Sequence, residues 1–298
     1  MTLTLDHDPL DPRAPVLTVP PSGDASPTPA VASERDVVLR LRWWRQIVLV
    51  LAFYGAYSFV RGQFGLGAVS ASHAAANATT IMDLEQHLGI GNELALQQWF
   101  LQWPWLVRLL NIFYGLFHFA VPILTLVILF RSAPSRYRRW RDTLAGATAL
   151  ALIGFSVFPL MPPRLLCACP AGSGIDSGFV DTLARYGGLW SFGSHGVGAV
   201  SNQYAAMPSL HFAWALWCAL AARAVLPRGR RLVFAYPAVT LLVIVVTGNH
   251  FWLDAVGGIV VIAAGSGCAR VLERGRREAR ATRVEDLVPQ RAGSPQKG

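Results

Sequence analysis

Residues 206–254 read AMPSLHFAWALWCALAARAVLPRGRRLVFAYPAVTLLVIVVTGNHFWLD. Two apolar runs, at about 206–226 and 232–249, flank the basic turn that holds Arg228, Arg230 and Arg231. A histidine stands at the outer end of each run, His211 on the first and His250 on the second. Runs of this kind, roughly 17–25 residues each, cross a bilayer as helices. An inward run followed by an outward one returns the chain to the side it left, so His211 and His250 meet one membrane face. Asp254 follows His250 by four residues, one helical turn, where its carboxylate can bond the ring and hold one tautomer. Ser209 lies where the chain enters a helix, and its hydroxyl and the neighbouring free N–H groups can hold a phosphate oxygen.

Working outward, Phe158-Pro159-Leu160-Met161-Pro162-Pro163-Arg164 ends the preceding apolar run and brings a cation, Arg164, to the same face. The whole chain has the composition that such a reading requires. Of its 298 residues 53% are hydrophobic and only 14% charged, with a mean hydropathy of +0.39. That is too apolar for a soluble domain. Six runs are long enough to span, at about 43–61, 106–130, 143–160, 206–226, 232–249 and 251–271. The expected fold is all-α, a six-transmembrane-helix bundle. No cleavable leader pattern precedes the first span, which is expected to anchor as well as target.

The net charge of +9 raises the question of nucleic acid, but the placement of the charge answers it differently. Nineteen arginines cluster before span one, between spans two and three, after span four and after span six. Only Arg61, Arg108, Arg164 and Arg185 fall on the other side. This is the positive-inside asymmetry. It implies a multi-pass protein of the cell membrane with both termini cytoplasmic and the histidine face extracytoplasmic. Anionic lipid headgroups account for the remaining attraction, and no nucleic-acid partner is implied.

Residues 1–34 are rich in Pro, Asp, Ser and Thr without apolar period and read as a disordered cytoplasmic tail. The membrane domain is expected over 35–275, and 276–298 as a basic, then disordered, cytoplasmic tail. Between spans one and two, Ile81, Leu84 and Leu88, then Leu96, Trp99, Phe100 and Trp103, recur at helical spacing. They predict one or two helices lying in the outer interface, broken at Gly89 and Gly91, with Asn92 capping the second half. The long Gly-rich stretch 161–205 joins two site segments and reads as a lid or substrate rim.

Phosphoryl transfer needs a nucleophile, a proton donor for the leaving group, and positive or N–H groups around the equatorial oxygens. His250 oriented by Asp254 fits the nucleophile, His211 the acid, and Arg164 with Ser209 the phosphate contacts. The bland alternative for each residue is a polar side chain at a helix end; the shared face and spacing weigh against it for the set. Asp83 and His87, four apart, lack a third ligand, so no metal and no cofactor is expected. His118, with Asn111 and Tyr114 on one side of span two, is divided between substrate contact and helix packing. Cys218 and Cys268 read as small apolar residues in spans. Cys167 and Cys169 face an oxidising side, but a bridge between residues two apart is strained.

These residues carry a resemblance. Pro208-Ser209-Leu210-His211 and Gly248-Asn249-His250 with Asp254 are similar to two of the three motifs of the type 2 phosphatidic acid phosphatase superfamily. They resemble most its inositol phosphorylceramide synthase-like (inositolphosphotransferase) branch. The likeness extends over about residues 40–272, with the Leu84-Glu85 stretch and Asn111-Ile112-Phe113-Tyr114 with His118. It implies that His250 forms a phosphohistidine, Asp254 orients it, His211 protonates the leaving group, and Arg164 and Ser209 contact phosphate without metal. The chain departs from the superfamily pattern at two basic positions: Val157 stands seven residues before Arg164, and Ile244 six before His250. Arg185, His195 or His118 could replace that charge.

The expected function is therefore an integral membrane lipid phosphotransferase. It would move a phosphoryl-headgroup, with phosphoinositol as the candidate, from a phospholipid to an alcohol acceptor or water. The alternatives are a lipid phosphatase acting on phosphatidate or a polyprenyl pyrophosphate and, from another class, a non-catalytic lipid transporter or scaffold. Headgroup, acceptor and oligomeric state are not legible in the sequence.

Overall fold

The computed structural model describes residues 42–65, 70–167, 173–188, 203–226 and 230–287, all within the compact unit Glu34–Gly298. The tail expected at 1–34, residues 288–298 of the tail expected at 276–298, and His195 and Cys169 lie outside the described residues. The architecture is helical: α1 (Trp43–Gly65), α2 (Ala71–His87), α3 (Glu93–Phe100), α4 (Pro104–Ser132), α5 (Pro134–Val157), α6 (Thr182–Tyr186), α7 (Leu210–Val225), α8 (Ala235–Val246) and α9 (Trp252–Leu287). Short 3-10 turns at Pro163–Leu165 and Leu232–Phe234 complete it. No strand occurs among the described residues; Leu160 and Ala205 make one isolated parallel bridge.

A helix stands at each of the six apolar stretches read from the sequence. Two, Pro104–Ser132 and Trp252–Thr282, are long and apolar enough to cross a membrane. The core runs between α4, α5, α7 and α9, around the fully buried Trp217, whose indole N–H donates to the Trp140 carbonyl at 2.9 Å. Small residues let α5 and α9 approach: a Cβ on Gly265 would sit 2.6 Å from the Ala147 nitrogen and 2.8 Å from the Thr143 carbonyl oxygen. Such small-residue seams are how helices pack where apolar burial alone gives no preference.

Outside this core the helices carry exposed apolar side chains, among them Leu109, Leu116, Ile123 and Val127 of α4 and Val256, Ile259 and Val260 of α9. An apolar exterior around an apolar interior removes the usual clue to which face is buried. The segment between α1 and α4 shows the consequence. Leu84 and Leu88 are 46% and 58% exposed, whereas Ala74, Ala78, Ile81 and Glu85 form the buried face of α2. Of the apolar stripe read from the sequence, Leu84 and Leu88 point outward and Ile81 inward, and a glutamate joins Ile81 on the buried face.

The break between α2 and α3 falls where expected, with Gly89 at φ +72°. Asn92 does precede α3, but its side chain does not cap the helix. Its Oδ1 accepts instead from the Trp252 indole N–H at 2.9 Å, tying the turn to the start of α9. α9 also runs on through 276–287, into the stretch expected to be a basic, then unstructured, tail. Arg, Glu and Ala are strong helix formers there, and Glu273 pairs with Arg277 one turn on.

Candidate active site

Three chain turns meet at the N-terminal ends of α7 and α9. Ser209 is the N-cap of α7, its Oγ accepting from the Phe212 N–H at 3.3 Å. Its own N–H donates to the Asp254 carbonyl oxygen at 2.9 Å, which pins the start of α7 to the first turn of α9. Pro208, joined to Met207 by a cis peptide, packs between Gly154 of α5 and Gly257 of α9. His211 follows one residue into α7 and reaches the site half-buried.

At the other turn α8 ends and the chain reverses through Thr247, Gly248 and Asn249. Gly248 has φ +69°, and a Cβ there would lie 2.8 Å from Gln97 Nε2 and 3.2 Å from Arg164 Cβ. Only glycine fits both the conformation and the space. The Gly248 carbonyl accepts the Arg164 backbone N–H at 2.7 Å, so the arginine segment is docked on this turn. The Arg164 guanidinium then donates from Nε to Asn249 Oδ1 at 3.0 Å and from NH1 to Asp181 Oδ2 at 2.8 Å.

His250 and Asp254 are joined as the spacing predicts. The His250 Nδ1–H donates to Asp254 Oδ2 at 3.0 Å, and the same oxygen accepts the Phe251 N–H at 3.0 Å. Asp254 is fully buried and His250 is 4% exposed. With Nδ1 committed to the carboxylate, Nε2 presents its lone pair, and it faces His211 Nδ1 at 3.4 Å. A buried carboxylate and two imidazoles thus form one continuous chain.

His211 is itself held in a column of rings. Tyr114 stacks on one side with centroids 4.1 Å apart, and His118 on the other at 3.9 Å, backed by Trp214 at 4.4 Å. Beside the column a small pocket is lined by Phe113, Tyr114, His118, His211, Tyr236 and Thr240, between α4, α7 and α8.

The remaining sequence candidates are placed elsewhere. Asn111 is buried and occupied: its Nδ2 donates to the carbonyls of Thr182 at 2.9 Å and Gly187 at 2.8 Å, and its Oδ1 accepts from the Thr182 hydroxyl. It clamps α6 to α4. Arg185 lies over the Tyr186 ring at 5.3 Å. Asp83 and His87 are exposed, and no group of three metal-ligating side chains occurs among the described residues. Cys167 is disulfide-bonded, while Cys218 and Cys268 are free thiols.

Three residues at the site, Asp181, Gln97 and Glu93, have no counterpart in the sequence reading, and Asn249 and Glu85 enter it only within the stretches that carry the resemblance, without a role. Asn249 adjoins His250 and was legible as part of the turn. Glu85 stands four residues after Ile81, on the line of Ala74, Ala78 and Ile81, and that helical register is the signal that could have found it.

A family model described as PAP2 superfamily matches residues 79–268. The match takes in the arginine segment, both histidine turns and Asp254. No curated protein and no solved structure matches the chain.

Proposed function

The chain belongs to the PAP2 superfamily, a class of lipid phosphatases and phosphotransferases, and from that premise we propose that it is a membrane phosphotransferase acting on phosphodiester lipids. The observation that carries the reading is the continuous contact from Asp254 through His250 to His211. His250 Nε2 attacks phosphorus, and the bond to the lipid alkoxide breaks. His211 gives the departing oxygen its proton, leaving a headgroup phosphohistidine. An acceptor alcohol or water then attacks the same phosphorus, passes its proton to His211, and the nitrogen–phosphorus bond breaks. Asp254 stabilises the charge that His250 gains in the first step.

A gap of 3.4 Å between the two imidazole nitrogens is too narrow to admit a phosphoryl group, so substrate displaces His211 from the nucleophile as it binds. The ring column supplies the surface on which His211 slides, and the adjoining pocket is where the acceptor approaches.

The charge of the site favours a diester. Val157 and Ile244 stand where the superfamily pattern has basic residues, and Arg164 already shares its charge with Asp181. A monoester dianion must exchange more hydration for fixed donors than a diester monoanion. Phosphatidylinositol and related phospholipids are therefore the proposed donors, in line with the inositolphosphotransferase-like motifs. The six apolar helices and the arginine asymmetry support a six-span arrangement, with α2 and α3 lying at the outer interface and the site extracytoplasmic.

The test is kcat/KM for phosphatidylinositol and phosphatidate in the same micelles, with and without alcohol acceptors. The diester is expected to be the better substrate. If phosphatidate wins by about tenfold, roughly 1.4 kcal/mol in transition-state binding, the phosphatase reading replaces this one. Protein that turns over neither lipid but moves lipid between vesicles would replace it with the transport reading.

A further inference from the structure

Behind Asp254 lie two glutamates that the mechanism above does not use. Glu85 of α2 is fully buried and Glu93 of α3 is 5% exposed. Glu85 Oε1 accepts the backbone N–H of Leu253 at 2.7 Å. That N–H is one of the orphan donors in the first turn of α9, the turn that carries Asp254. Asp254 Oδ2 takes the neighbouring one, from Phe251. The first turn of α9 is thus held by two carboxyl groups, one on its own chain segment and one reaching across from α2.

One further oxygen of each, Glu85 Oε2 and Glu93 Oε1, is buried and accepts from no donor among the described residues. A proton held on either carboxyl would let the two side chains bond each other. Neither glutamate makes an ion pair among the described residues. Two carboxylates out of water without a cation cannot both ionise, so one proton stays between them. Asp254 and, through it, His250 are the other titratable groups facing Glu85, from α9 and the turn before it. A second negative charge here would sit directly behind the anion-binding site and act against a phosphate.

We propose that Glu85 is a positioning residue for the Asp254–His250 pair, fixing the first turn of α9 through Leu253 and sharing a single proton with Glu93. The inference deepens the phosphotransfer reading and rests on it. Burial, followed by the Glu93 hydrogen bond, pushes the Glu85 carboxyl up to about 9. The unfolded chain loses this proton near 4.5, so between that pH and about 9 the folded protein binds one proton more. Stability contributed by the pair is complete below 4.5 and is lost progressively as pH rises towards 9.

The experiment uses the full-length protein in detergent and a bis-nitrophenyl phosphodiester, whose good leaving group needs little help from His211. Wild type, Glu85→Gln, Glu85→Ala and His250→Ala are compared from pH 6 to 10.5, with Tm measured alongside. Wild-type kcat is expected to fall above about pH 9, as the shared proton is lost. Glu85→Gln keeps an acceptor for Leu253 and a permanent donor for Glu93. It is expected to hold kcat within about threefold at pH 7, to lose the alkaline limb, and to show a flatter Tm–pH curve. Glu85→Ala is expected to lose tenfold or more in kcat with a smaller change in KM. An alkaline limb and Tm–pH slope that are unchanged in Glu85→Gln would overturn the proposal, whether or not Glu85→Ala folds. Turnover that survives His250→Ala would overturn the functional reading instead. If the diester is not turned over, the Tm–pH comparison alone decides for or against the shared proton.

Discussion

Replacing Gly248 by Ala tests how the site is assembled. The new Cβ would stand 2.8 Å from Gln97 Nε2, 3.2 Å from Arg164 Cβ and 3.3 Å from the Arg164 nitrogen. The amide of Gln97 can yield, but the Arg164 backbone is held to the Gly248 carbonyl at 2.7 Å and cannot retreat without breaking that bond. Left-handed backbone at a non-glycine residue costs on the order of 1–2 kcal/mol. Crowding a packed contact adds about 1–3 kcal/mol. The sum, about 2–5 kcal/mol, corresponds to a fall in Tm on the order of 5–15 °C for a domain of this size. Arg164 and His250 are both displaced, so kcat/KM is expected to fall by about 10²-fold, the usual penalty for misplacing reacting groups by an ångström. Gly267→Ala is the control, because nothing lies within 4 Å of a Cβ there and its backbone is helical. The assay is thermal unfolding and diester turnover of the three proteins in one detergent. A Gly248→Ala protein with the Tm and kcat/KM of wild type would refute the close docking of the arginine segment on this turn.

Two further outcomes are expected. His211→Ala should cost natural lipid substrates far more than nitrophenyl esters, because only poor leaving groups need its proton; equal losses in kcat/KM on both would remove the acid role. Ser194→Cys should react with an impermeant thiol reagent in intact cells, and labelling only after lysis would reverse the proposed orientation.

The parts of this site that were legible in the sequence are those set by local periodicity. His250 and Asp254 are four apart, and a helix start places them in contact whatever surrounds them. Ser209 before an apolar run is an N-cap by residue type, and it caps α7. The six apolar stretches could be marked because length and composition suffice. What could not be read depends on which neighbour lies across a gap. Leu84 and Glu85 differ by one position, and only the packing of α2 on α9 decides that the glutamate faces inward. In a chain with an apolar exterior, hydrophobicity does not make that choice. Asn111 shows the same limit: polar, beside Tyr114 and near His118, it has the look of a substrate contact, yet Thr182 and Gly187 occupy it. Arg164 is legible as the cation of the site, but the partner that holds it, Asp181, comes from a loop whose course no periodicity describes.

The central claim is that His250 carries the headgroup during transfer. A phospholipid labelled in its headgroup, mixed with excess enzyme and quenched in alkali, tests it most directly, since a phosphoramidate survives base and is cleaved by acid. The account predicts base-stable, acid-labile label on the protein, absent in His250→Ala and discharged by an alcohol acceptor. Turnover of the labelled lipid with no protein-bound label, or equal label on His250→Ala, would contradict it.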